Sequence, residues 1–445
     1  MKRSIWIVLF FLTVMGSAAS AQSRGSYFFE NSLLRSKLNP AFAPKNDYAS
    51  IFGIGSFNVD IASNVGLKNF IFPDGDVNYL FLNDVVPADK FLSKLPKRDP
   101  YLQKRVETDL FGVGMKVSDN GYATLSLSLV ENGKYVLSGD MLRYVKSSKS
   151  TDLRIFEGSS VSLAGYAALA AGYSHDLSSY VEGLRAGARI KLLLGLAAAD
   201  IAIDKAGLQT GEDQISALLH GTGSLSGIRY SSDNGFAIAL PQFNSFGAAI
   251  DLGASYRFPV DGPWLIEGVE LSASVCDLGG LKYRHTLSSL LLDHQFNFTG
   301  IGDLTGDVSA NIENTVNELK AFTRINPSEG DAFAYWLPAS IHVGATALLT
   351  ELNANIGLLY YHTEGHSNVM IAGGISPYEF LNLGVNWTFI GPANRVGFYA
   401  EFIPKKYLGV FLGMECASLS SNNRYIPVRN FTESISFGVN VIFGE

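Results

Sequence analysis

Apolar and polar residues alternate along most of this chain, and the pattern is clearest near its end. Ile435, Phe437, Val439, Val441 and Phe443 are interleaved with Ser434, Ser436, Gly438 and Asn440. Successive side chains of a strand point to opposite faces, so this spacing predicts a strand with one apolar and one polar face. The same rhythm predicts a strand over Ile51–Ile61. It then predicts a hairpin in which Leu110–Ser118 meets a return strand across Asp119-Asn120-Gly121, a tight-turn signal. The return strand sets Ala123, Leu125, Leu127 and Leu129 against Thr124, Ser126 and Ser128. A long hairpin follows over Ser160–His175 and Gly183–Asp204, where Leu184, Ala186, Ala188, Ile190, Leu192 and Leu194 oppose Arg185, Arg189 and Lys191.

Further strands are predicted over Phe246–Phe258 and Gly268–Asp277. The last quarter reads as a meander: Ser340–Thr350, Asn353–His362, Asn368–Ile375, Phe380–Phe389, Arg395–Ile403, Leu408–Cys416 and Glu433–Phe443. Two short loop helices are expected over Pro87–Leu95 and Asp140–Lys146. Leu281–Trp336 breaks the rhythm and reads as a long loop or partial plug, with helical spacing over Val308–Phe322. The sum is about fourteen strands, an even number of the kind single-chain bacterial barrels use.

Export enters at the other end of the chain. Lys2 and Arg3 precede an apolar core over Ile5–Val14, and Ala19-Ser20-Ala21 fits a cleavage site before Gln22. Residues 1–21 are therefore expected to be a removed signal peptide, with residues 22–47 a lead-in or hatch segment and 48–445 the barrel. After the signal no apolar run is long enough for a spanning helix. A chain that crosses a membrane without such helices does so as a closed barrel, because lipid leaves no backbone group unpaired. The rival is a secreted β-sandwich, whose strands also have a dry and a wet face. Against it stand the length of the strands and the near absence of charge from their apolar sets. The expected fold is all-β: a transmembrane antiparallel up-and-down barrel with a short N-terminal luminal segment, in a cell outer membrane with the lipid bilayer as partner.

Composition agrees. Charged residues make up only 17% of the chain against 47% hydrophobic, with 45 Gly, and the net charge is −7 without a basic cluster. That argues against a nucleic-acid partner. Strand parity puts Cys276 with a polar set and Cys416 with Leu408, Val410, Leu412 and Met414, so the two are not expected to bridge.

The Leu38-Asn39-Pro40-Ala41-Phe42 core of NSLLRSKLNPAFAPKN, before the first strand, resembles the "NPA" segment of the long-chain fatty acid transporter superfamily and its Bacteroidota relatives. Val275-Cys276-Asp277-Leu278-Gly279-Gly280 resembles their strand-end "DLG" element. With LRAGARIKLLLGLAAAD over Leu184–Asp200, nearly the whole mature chain is similar to an uncharacterised family of Bacteroidota outer-membrane barrels. The resemblance implies a fourteen-stranded barrel with an N-terminal segment against the lumen. One branch of these relatives passes hydrophobic molecules by diffusion; another partners the type IX secretion system. The chain matches the binding residues of neither branch.

No nucleophile elbow, phosphate loop or dinucleotide fingerprint is present, so an enzyme is not expected. His362 and His366 flank Thr363-Glu364-Gly365 at an expected loop, where a polar turn is favoured over a metal pair; no cofactor or metal is expected. The lumen-facing charges are expected to be Asp60, Arg185, Arg189, Lys191, Asp251, Arg257, Glu270 and Glu415. A paired barrel interior is the simplest role for them. A cationic group of Arg185, Arg189 and Lys191 would alternatively suit a ligand carboxylate. Asn39 and Pro40 are the candidate hatch, although Pro40 would equally direct the chain into the first strand. The expected function is passive transport or binding of a hydrophobic or amphipathic small molecule. The alternative is a non-transporting barrel that partners a secretion or surface complex.

Overall fold

The computed structural model describes residues 24–443 apart from 75–76, 82, 84, 148–153, 211–214, 232–234, 239–244, 261–265, 285, 288–291, 299–331, 350–351, 364, 391–393, 405–406 and 418–431. Fourteen antiparallel strands close on themselves. The first, β1, is in two pieces, Asp47–Ser50 and Phe57–Ser63. It is followed by β2 (Tyr101–Ser118), β3 (Gly121–Val136), β4 (Ser159–Asp176), β5 (Leu184–Thr210), β6 (Ser245–Pro259) and β7 (Gly268–Tyr283). The meander completes it: β8 (Ser340–Leu349), β9 (Ala354–Thr363), β10 (His366–Tyr378), β11 (Leu381–Ile390), β12 (Arg395–Phe402), β13 (Tyr407–Ala417) and β14 (Thr432–Phe443). Each strand pairs with the next, and β14 returns to both pieces of β1, with Tyr48 opposite Ile442 and Asp60 opposite Ser434. Closure removes every sheet edge.

The wall follows the alternation closely. Leu408, Val410 and Leu412 of β13 are exposed on the outer face, as are Ile356 and Leu358 of β9 and Val385 and Trp387 of β11. Their neighbours Glu415, Asn355 and Asn386 turn inward and are buried. Outer apolar side chains in contact with lipid leave polar ones to line a lumen. Cys276 faces the lumen, Cys416 lies on the outer set, and the two form no disulfide.

Short turns gather at one end with Asp47 and Phe443, including Asp119-Asn120 between β2 and β3. Long connections gather at the other. There, Ala88–Leu92 and Gly139–Ser147 are helical, near the positions the sequence indicated. Phe72, Val86, Phe91 and Leu142 form a small apolar core of their own above the barrel. No described helix is long and apolar enough to cross a membrane.

Three details depart from expectation. The first strand is interrupted over residues 51–56, and Gly53 takes a positive φ of 76° in the break. The loop expected from Leu281 begins later, because β7 runs to Tyr283 and Phe333–Trp336 pairs back onto it; Val308–Phe322 lies outside the described residues. The Val275–Gly280 element contains a bulge. Asp277 takes a φ of 61°, the register against β6 shifts between Ile250 and Leu252, and Cys276 and Asp277 both face inward.

Candidate functional site: a plugged lumen

Residues 24–42 fill the lumen. A short 3-10 helix, Arg24–Phe28, and a helical turn, Arg35–Leu38, are buried on all sides. Tyr27, Asn39 and Ala41 have no exposure at all. An irregular segment can be buried only if its backbone and charges find partners, and the wall supplies them. The Arg189 guanidinium donates to the Ser36 carbonyl at 2.7 Å, Ser274 Oγ to that of Leu38 at 2.7 Å and Ser174 Oγ to that of Ala41 at 2.7 Å. Asn39 Oδ1 accepts from the Ala41 N–H at 2.9 Å, closing a local turn. Its Nδ2 reaches the Ala254 and Ala273 carbonyls of β6 and β7 at 3.2 and 3.3 Å.

Charge complementarity is systematic. Lys37 Nζ lies 2.7 Å from Asp109 and 3.5 Å from Glu107. Arg24 lies 3.2 Å from Asp60 and 4.0 Å from Glu415. Arg35 pairs with Glu270 and lies over the Phe42 ring at 3.6 Å. Burial works against the charge on Lys37, but Asp109 and Glu107 more than offset it and hold its pKa above the ordinary lysine value. Burial pushes the Tyr27 phenol up to about 12, so it stays neutral and shares a hydrogen bond of 2.9 Å with Ser272.

On the opposite side the wall yields space instead. Glycines stand at inward positions where a Cβ would overlap the plug: Gly344 under Tyr27, Gly357 under Phe28, and Gly374 and Gly384 under Phe29. On the charged side itself, Gly187 of β5 and Gly253 of β6 make room for the Pro40 carbonyl and Asn39. Above the plug, voids of only about 30 and 40 Å³ remain among Arg105, Glu107 and Asp277. Below it, at the short-turn mouth, a larger cavity of about 790 Å³ opens under Phe28 and Phe29.

The eight expected lumen charges fall into three settings. Asp251 is fully buried and gathers Lys191 at 2.8 Å and Arg189 at 3.5 Å; Lys191 also meets Asp277 at 2.6 Å. Asp60, Glu270, Glu415 and Arg257 meet the plug, Arg257 through Glu30. Arg185 pairs with Asp176 at 3.2 Å near the short-turn end. The structure thus separates Arg185 from Arg189 and Lys191, and each of the three has a carboxylate partner. His362 sits at the β9–β10 hairpin and bonds Ser367 at 3.0 Å. Asn39 and Pro40 sit in the plug. Sequence reasoning missed Arg24, Tyr27, Phe28, Phe29, Arg35 and Lys37. Their signal was a run of bases and aromatics ahead of a wall rich in inward carboxylates and glycines.

Residues 40–414 match the profile of a family described as "Family of unknown function (DUF5723)". No curated protein matches the chain. Among solved structures, the toluene transporter TbuX of Ralstonia pickettii is 9% identical, with a TM-score of 0.43, over 93% of this chain and 94% of that one. A FadL homologue of Pseudomonas aeruginosa is 10% identical, with a TM-score of 0.40, over 96% and 98%. The toluene transporter TodX of P. putida is 13% identical, with a TM-score of 0.38, over 91% of each. These values mark a distant likeness.

Proposed function

We propose, from the premise that this chain belongs to the DUF5723 family, that it is an outer-membrane barrel for passive passage or binding of a hydrophobic or amphipathic small molecule. In this reading residues 1–21 are removed on export, the short turns face the periplasm, and Arg24–Phe42 is the movable hatch. The observation that carries it is the filled lumen. An open aqueous pore would need a continuous wet path, and buried plug side chains occupy it. Inward glycines hold the Phe28 and Phe29 rings by shape alone, which lets a ligand displace them without breaking a charge pair. Deleting residues 22–46 and measuring solute flux into reconstituted vesicles tests the hatch. Raised flux is expected; unchanged flux would assign the segment a purely structural role.

The small apolar core above the long-loop end favours a second reading, a non-transporting barrel that docks a secretion or surface complex. Native mass spectrometry of the protein extracted from its own membrane separates the two. A retained lipophile supports the first, and a stoichiometric protein partner without lipid supports the second.

A further inference from the structure

The cavity under the plug has the features of a binding site that the lumen above lacks. Its volume of about 790 Å³ falls in the range of small-molecule pockets. Phe28 and Phe29 form its roof, and Leu348, Ala354, Phe380 and Ile403 form its walls. Of its charges, Glu30 pairs with Arg257 and, at 3.5 Å, with Lys45. Asn31 Nδ2 donates to the Glu379 carbonyl at 3.0 Å, and Ser376 Oγ to Asn382 at 2.8 Å. One polar atom among its described linings stands apart. Asn355 is 7% exposed, and its Oδ1 has no hydrogen-bond partner. It lies over Gly374, next to the Phe29 ring. A buried acceptor left unmatched is costly, and a ligand donor would recover that cost.

We propose that this vestibule binds an uncharged hydrophobic molecule carrying a hydroxyl or N–H donor, which shifts the edge of the Phe29 ring to reach the covered Asn355 Oδ1 and lays its apolar body against Phe28, Phe29 and Phe380. A charged headgroup is disfavoured, because the rim's ions already hold partners. The inference names the ligand chemistry for the preceding reading and rests on that reading only for the direction of travel.

The test uses the full chain in lipid nanodiscs, with 1-naphthol and its methyl ether, 1-methoxynaphthalene, as probes. Equilibrium dialysis against empty nanodiscs of the same lipid reads specific binding. One saturable site for 1-naphthol is expected, with the ether at least about ten-fold weaker, as for sites built around a substrate hydroxyl. Asn355→Leu should erase that preference. Equal binding of the two probes by the unaltered protein overturns the proposal, and so does a preference that survives in Asn355→Leu. The first comparison needs no variant to fold. Vesicle uptake of the same probes reads the transport proposal separately: binding without uptake sinks that proposal and keeps this one.

Discussion

On the β2–β5–β6–β7 side of the lumen the plug meets Asp109, Arg189 and Glu270; on the β8–β11 side it meets Gly344, Gly357, Gly374 and Gly384. The first side holds the Leu33–Phe42 limb from Arg35 onward, through ion pairs and bonds to its carbonyls. The second holds Tyr27–Phe29 by removing wall side chains so that rings fit. A buried charge without its partner is costly in any arrangement, so the first side has one solution. A ring on a glycine shelf loses only packing when it shifts. Firm and yielding attachment therefore coexist in one plug, divided along the barrel's circumference.

Removing the hub of the charged side should have the largest effect. Asp251→Ala takes the carboxylate from Arg189, leaves Lys191 with Asp277 alone, and leaves the Asp277 N–H, now 2.7 Å from Asp251, without its acceptor. A loss of about 3–5 kcal/mol is expected, read from urea unfolding in detergent. Stability within 1 kcal/mol of the parent, about the net worth of a single hydrogen bond, would show that Asp277 alone holds the hub. Next comes the glycine side. Gly357→Leu places side-chain atoms in the Phe28 ring, and about 1–3 kcal/mol is expected. The sharper readout is proteolysis: cleavage should rise near Phe28 while Arg35–Leu38 stays protected. Equal exposure of both limbs would erase the proposed division.

Asn39→Ala removes the local turn and two wall contacts together, for about 1–3 kcal/mol. It should loosen the Leu33–Phe42 limb and spare Tyr27–Phe29, the reverse protease pattern. The smallest effect is on pH dependence. The pKa of Lys37 is raised in the folded state, so its stabilisation is fully present below the ordinary lysine value of 10.5 and is lost as pH climbs through the higher folded value. Plug protection should fall in that alkaline range, and Lys37→Met should abolish this step. A step that persists in the variant would assign it to another base.

The barrel was legible because a wall with one apolar and one polar face imposes a period of two on its strands, and Leu184–Leu192 carries that period without exception. The contents of the lumen were less so. Asp251 and Lys191 were readable as inward by parity, but their pairing crosses strands 60 residues apart in sequence and needs the register of β5 against β6. The plug had no period to read, since Arg24–Phe42 is neither regular helix nor strand along its length. Gly357 and Gly374 carry no signal of their own; a glycine that receives a ring looks like any other until the ring is placed. Bulges hid the rest. Parity counted through Val275–Gly280 assigns Asp277 to the wrong face, because one extra residue on β7 is invisible without its partner strand.

That bulge acts as a frameshift within a single strand. Below it, Glu270, Ser272 and Ser274 point inward; above it, Leu281 and Tyr283 do, joining Tyr166 and Leu193 in a dry layer. On this side of the barrel a wet lower storey that houses the plug thus lies beneath a greasy upper one, and a single added residue on β7 sets the ceiling between them. Losing that one residue would turn the upper storey of β7 inside out while leaving the lower in place.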